Sequence, residues 1–307
     1  MTKNSLTGRD LVAALVVVLV WGVNFVAMKF ALRDFTAFQL GAARYAFAAL
    51  PLMLLIKPPR VPWQWVATYG LVQGVGQFGI LFIALQVGMT AALASVLVQT
   101  QVFFTALFGF VLLHERPSRP LQLGLLLAAL GLSCFALNYV NPAAGASNAT
   151  TLLGFVLTLC AAAMWAMSSI VARRVQHISQ NYSPVAFVVW SSTVAVLPFV
   201  ALSFVFDPEP ARWHWLQARA SSWLAAAYLG WGATVIGYGL WTSLLKRHPA
   251  NRVAPFGLGV PIVGLAAGML VLGEVITAWQ WAGIALLVAA LACVMLGGLL
   301  KPSGVKA

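Results

Sequence analysis

Charge is scarce in this chain, and negative charge is nearly absent. Of 307 residues, 8% are charged and only six are acidic. A soluble domain carries about a quarter charged residues, so a water-soluble globule is excluded. No Asp, Glu, Lys or Arg occurs from Leu11 to Met28, from Val61 to His114, or from Pro120 to Ala172. Cysteine is also rare. Cys134, Cys160 and Cys293 are odd in number and lack metal-ligand spacing, which argues against a disulfide framework or a zinc site. The four histidines, His114, His177, His214 and His248, fall on different connections. An integral-membrane enzyme would need His, Cys or carboxylates clustered at one depth, and no such motif is present. No cofactor or metal is expected.

What is there in abundance is apolar. Hydrophobic residues make up 62% of the chain, and the mean hydropathy is +0.92. A membrane span needs roughly 20 such residues. The first uncharged run holds one span, and each longer run holds two, separated by Gly88-Met89-Thr90 and by the polar stretch Asn138–Thr151. Ten spans are predicted, over 10–32, 36–56, 63–86, 91–113, 119–139, 151–175, 183–206, 222–245, 250–272 and 277–299. The first is too long for a cleaved signal segment, and its exit carries Lys29 and Arg33 rather than small residues.

The net charge of +12 would suggest a nucleic-acid partner in a soluble protein. Its distribution argues for topology instead, and no nucleic acid is expected. With the N-terminus inside, the cytoplasmic segments hold Lys3, Arg9, Lys57, Arg60, Arg116, Arg119, Arg173, Arg174, Lys246, Arg247, Arg252, Lys301 and Lys306. The outer segments hold Lys29, Arg33, Arg212 and Arg219. The positive-inside rule then puts both termini in the cytoplasm, with the lipid bilayer as the surrounding partner.

The spans fall into two sets of five, 1–143 and 144–307. Trp21-Gly22-Val23-Asn24 and Lys29 match Trp165-Ala166-Met167-Ser168 and Arg173. Leu50-Pro51 matches Leu197-Pro198; Leu113-His114-Glu115 matches Leu272-Gly273-Glu274; Gly124 matches Gly283 and Cys134 matches Cys293. Five is odd, so the second set is inverted. Inverted repeats around a shared midplane centre are a transporter design. The expected fold is all-α, with ten transmembrane helices in two inverted five-helix repeats.

These residues resemble the EamA family of the drug/metabolite transporter superfamily. The resemblance rests on the Leu-x-x-Glu segments Leu112–Glu115 and Val271–Glu274 (the latter with Val in place of Leu), on Gly124 and Gly283, on Pro261, on Trp21-Gly22-x-Asn24 and on Arg44. The first repeat departs from the pattern at Gln101-Val102, where the second has Pro261. The resemblance implies a bacterial inner-membrane carrier that exports metabolites by alternating access. The overall look is similar to YddG-like exporters of aromatic and other neutral amino acids. An exporter of another metabolite or drug is the nearest rival.

Polar residues in spans are costly and mark candidate sites. Asn24, Gln73, Gln77, Gln99, Gln101, Ser168 and Ser169 are such residues. Gln73 and Gln77 are spaced to share one helix face. Trp231, Thr234, Tyr238 and Trp241 fall on one helical stripe. The predicted substrate-binding set is Asn24, Gln73, Gln77, Gln99, Trp165, Tyr238 and Trp241, and the substrate a small molecule such as an amino acid. For each amide the competing reading is a plain helix–helix hydrogen bond. Arg44 is weighed as a structural contact to a neighbouring helix end. Glu115 and Glu274 are weighed as stabilisers of the helix that follows each. Glycines of the third, eighth and ninth spans, with Pro261, are the expected moving parts, and rocking or bending of spans 3–4 and 8–9 the expected gate.

Overall fold

The computed structural model describes residues 7–113, 118–140, 150–179, 181–248 and 250–297. Among these every regular element is helical. The long helices are α1 (Gly8–Ala31), α2 (Ala37–Ala49), α3 (63–86), α4 (91–113), α5 (Arg119–Val140), α6 (Leu152–Ile178), α7 (Pro184–Phe206), α8 (220–247), α9 (250–272) and α10 (Ala278–Gly297). Glu115 and the predicted loop residues 141–149 lie outside the described residues.

Helix starts follow polar capping signals. Thr7 and Asp10 form a reciprocal capping box on α1, and Thr36 and Gln39 form one on α2. Thr90, Thr151 and Ser183 cap α4, α6 and α7 through their hydroxyls. Gly88, with φ +118°, permits the tight turn before Thr90.

Nine stretches among the described residues are long and apolar enough to cross a membrane. The exception is α8, a continuous helical stretch whose second half, Tyr238–Arg247, is more polar. The chain is a multi-pass membrane protein.

Contacts between helix ends give the direction of each pass. At one end, which we call the first, Asp10 of α1 pairs with Arg247 and His248 at the close of α8. There too Trp190 of α7 donates to the Ile56 carbonyl. At the second end, Lys29 of α1 donates to the Leu85 carbonyl of α3. Thr151, which starts α6, donates to the Val87 carbonyl at the same end. So α1 starts at the first end and α6 at the second, and the two halves run in opposite senses.

The halves interleave rather than sit side by side. Small residues bring the helices close. A side chain on Gly41 of α2 would collide with Phe199 of α7, and one on Gly264 of α9 would collide with Ser95 of α4. One on Gly131 of α5 would crowd the Gly283 carbonyl of α10. Met28, Leu40, Phe82, Leu85 and Leu97 form the fully buried centre.

Five predicted spans are not continuous α-helix. The second breaks after Ala49, at Leu50-Pro51, and resumes only as Leu52–Leu55. Proline lacks the N–H that an α-helix interior requires. The third and eighth each contain a π-helical segment of ten residues, Gly70–Gly79 and Tyr228–Gly237. The fourth and ninth each contain a 3-10 segment, Val98–Thr100 and Ala254–Leu258. Each irregularity in α3 and α4 thus has a counterpart in α8 and α9. The long connection after α7 is ordered by the turns Glu209–Arg212 and His214–Gln217.

Glu274 corrects one expectation. It does not serve the following helix, whose start is capped by Thr277 and Gln280. Its two carboxylate oxygens accept from the Ala91 and Ala92 amides, each at 2.7 Å. The end of α9 is thereby clamped to the start of α4 in the other repeat.

Candidate functional site

A cavity of about 470 Å³ lies at the centre of the fold, between the two halves. Pockets of this size suit small organic ligands. Its walls come from α1, α2, α3, α4, α6, α8, α9 and α10. Phe25 and Leu81 line its deep part, towards the second end of α1 and α3. Arg173 and Gln176 line its other extreme, where α6 reaches the first end and both residues are exposed. The cavity therefore communicates with the first end. At the second end the Glu274 clamp and the Lys29–Leu85 bond tie the helices together.

Of the predicted set, Asn24, Gln77, Gln99, Trp165, Tyr238 and Trp241 line this one cavity. Gln101, Ser168 and Ser169 join them, though both serine hydroxyls donate back to the Trp165 carbonyl. Trp21 anchors the aromatic wall. Its ring lies 5.1 Å from Tyr238 and 5.5 Å from Trp241, and its indole donates to the Ala233 carbonyl at 3.0 Å.

Gln73 is separated from this group. It borders a small adjoining void with Tyr45 and Tyr69, and donates to the Tyr238 hydroxyl at 2.6 Å. Its amide is taken up by the Tyr238 hydroxyl, a residue that lines both spaces. The aromatic stripe on α8 splits because a π-helix puts more residues into each turn, so Trp231 and Tyr238, seven apart, no longer share a face. Tyr238 and Trp241 face the cavity, whereas Trp231 is exposed on the opposite side and donates to the Leu50 carbonyl.

Arg44 also lines the cavity and is 1% exposed. Burying a guanidinium in mid-span costs roughly 2.5–3.5 kcal/mol on insertion scales. Nη2 donates to the Thr234 hydroxyl at 3.1 Å, in the π-helical part of α8 and not at a helix end. The Phe78 ring lies 3.7 Å from the guanidinium carbon, a cation–π contact worth about 2 kcal/mol when desolvated. Nε and Nη1 have no hydrogen-bond partner. The Asn24 and Gln77 side-chain oxygens are likewise buried and unpartnered. Among the described residues no Asp or Glu lines the cavity.

A larger cavity, about 580 Å³, lies between α2, α7 and α8. Its walls are Phe47, Phe204, Trp213 and Trp231 among others, and no buried unpaired polar atom among the described residues belongs to it. Gln39 donates to the Ala211 and Arg212 carbonyls, and Arg212 Nε to the Asp207 carbonyl. It offers a polar solute no unpaired group comparable to those around Arg44.

Inverted helical halves around a central cavity lined by carboxamides and aromatic rings define a membrane transporter rather than an enzyme. Comparison with known proteins agrees, for a profile of the EamA-like transporter family matches residues 9–137 and again 152–296. The chain belongs to the EamA-like transporter family. It is 35% identical over 284 residues to a probable amino-acid metabolite efflux pump of Escherichia coli (strain K12), covering 92% of this chain and 93% of that protein. It is 36% identical, with the same coverage, to a probable amino-acid metabolite efflux pump of Salmonella typhimurium. A solved crystal structure shares the fold with a TM-score of 0.62 at 19% identity, covering 95% of this chain and 99% of that one.

Proposed function

We propose that this transporter exports neutral amino acids, aromatic ones included, across the bacterial inner membrane by alternating access. The carrying observation is the single central cavity. It combines carboxamides from Asn24, Gln77 and Gln99 with rings from Trp165, Tyr238 and Trp241. Such walls suit a polar backbone joined to an apolar side chain. Similarity to the enterobacterial efflux pumps supports the substrate class.

In this reading there are ten crossings, with α8 as the additional one, and two functional halves, 1–143 and 144–307. The excess of Lys and Arg on one side places both termini in the cytoplasm. The first end is then cytoplasmic, and the arrangement with the cavity reaching Arg173 and Gln176 is the inward-facing one.

The test is flux of a labelled amino-acid panel in proteoliposomes, with and without a pH gradient. Saturable movement of aromatic and neutral amino acids is expected. Movement of none of them would overturn the substrate class.

A further inference from the structure

Arg44 has no anionic partner in the described structure. The ion pairs join Arg219 to Asp34, and Arg247 and His248 to Asp10, all at the helix ends. Phe78 offers Arg44 a ring face but no acceptor. Two of its nitrogens, Nε and Nη1, are buried without acceptors, and the residue itself lines the central cavity. Asn24 and Gln77 line the same cavity, and their buried side-chain oxygens have no donors.

Buried polar groups are ordinarily paired, so these four atoms describe what is missing. A carboxylate only accepts, and an ammonium only donates. A cation without a carboxylate would leave the guanidinium uncompensated. An anion without an ammonium would leave the carboxamide oxygens empty.

We propose that Arg44 anchors the α-carboxylate of the substrate, while the Asn24 and Gln77 oxygens take its ammonium. The site then selects zwitterionic α-amino acids by their backbone, and the rings of Trp21, Trp165 and Trp241 receive the side chain. This rests on the central cavity being the transport site. Arg44 is then a specificity-determining residue rather than a helix-packing one.

The test needs no variant. Phenylalanine, phenylalaninamide, phenylalanine methyl ester and 3-phenylpropionate compete against labelled phenylalanine in proteoliposomes holding the full chain. Phenylalanine should compete at least about tenfold better than the other three, because each leaves buried groups unpaired. Arg44→Gln, checked for monodispersity, should narrow the gap between phenylalanine and its amide. Equal competition by the amide and ester in the wild type would overturn the carboxylate anchor and leave the amino-acid reading standing. No uptake of labelled phenylalanine or any other amino acid would overturn both.

Discussion

Arg219 grips Asp34 across the two repeats. Its Nε and Nη2 donate to the two carboxylate oxygens at 2.9 and 2.8 Å, and its own amide adds a third bond at 3.0 Å. Ser222 donates to the same carboxylate at 2.7 Å. The α1–α2 connection of the first half is thus latched to the start of α8, at the end where the helices are tied together.

The Arg219 guanidinium, and after it the Ser222 hydroxyl, hold the Asp34 carboxyl below the ordinary carboxylate range. An acid with a depressed native value contributes stability above its unfolded value and loses it as pH falls through the native one. The latch should therefore stay intact at neutral and mildly acidic pH. Flux between about pH 5 and 8 should show no inflection from this pair. The Arg219 side chain is 60% exposed, so solvent screens the pair and Asp34→Asn should change overall stability little. It should instead loosen the second end, seen as faster thiol labelling of a cysteine placed at Leu81. Unchanged labelling would show that the latch does not hold that end shut.

Glu274 should matter more to stability than its surface neighbours. Removing its two bonds to the Ala91 and Ala92 amides leaves helix-start donors unpaired. Each hydrogen bond to a charged group is worth about 1.5–3 kcal/mol. Glu274→Ala should lower the melting temperature in detergent clearly, and Glu274→Gln by less, because it keeps one acceptor. Equal melting of wild type and both variants would refute the clamp.

The cysteines should be dispensable. Cys134, Cys160 and Cys293 are free thiols, and among the described residues only Cys293 makes a weak polar contact, to the Pro120 carbonyl at 3.6 Å. Replacing all three with Ala or Ser should leave flux largely intact. Abolished flux in a well-folded triple mutant would point to thiol chemistry.

Topology is open to a separate check. Reporter fusions at Lys3 and at Ala307 should both report the cytoplasm, by the basic asymmetry. Opposite signals at the two ends would contradict an even number of crossings, and outside signals at both would contradict the orientation.

Much of the architecture was legible because hydropathy acts locally. The uncharged runs from Leu11, Val61 and Pro120 fall on α1, on α3 and α4, and on α5 and α6. The inversion followed from counting, and the opposed starts of Asp10 and Thr151 display it. What was illegible depends on backbone hydrogen-bond register. Nothing in hydropathy distinguishes a π turn from an α turn, so the sequence alone puts Trp231 beside Tyr238. The role of Glu274 was hidden because its partners lie more than 180 residues away. That two Arg44 nitrogens lack acceptors is visible only when the neighbouring helices are in place.

The most direct test of transport through the central cavity is counterflow of labelled tryptophan and alanine in proteoliposomes bearing wild type, Gln77→Ala or Trp241→Ala. Both residues line the cavity, from α3 and α8. The wild type should exchange both amino acids. Trp241→Ala should weaken tryptophan several-fold more than alanine, since an aromatic contact is worth about 0.5–1.5 kcal/mol beyond its buried area. Gln77→Ala should weaken both alike, because it touches the shared backbone. Wild-type affinity and preference in both variants, each monodisperse, would contradict a substrate site in this cavity.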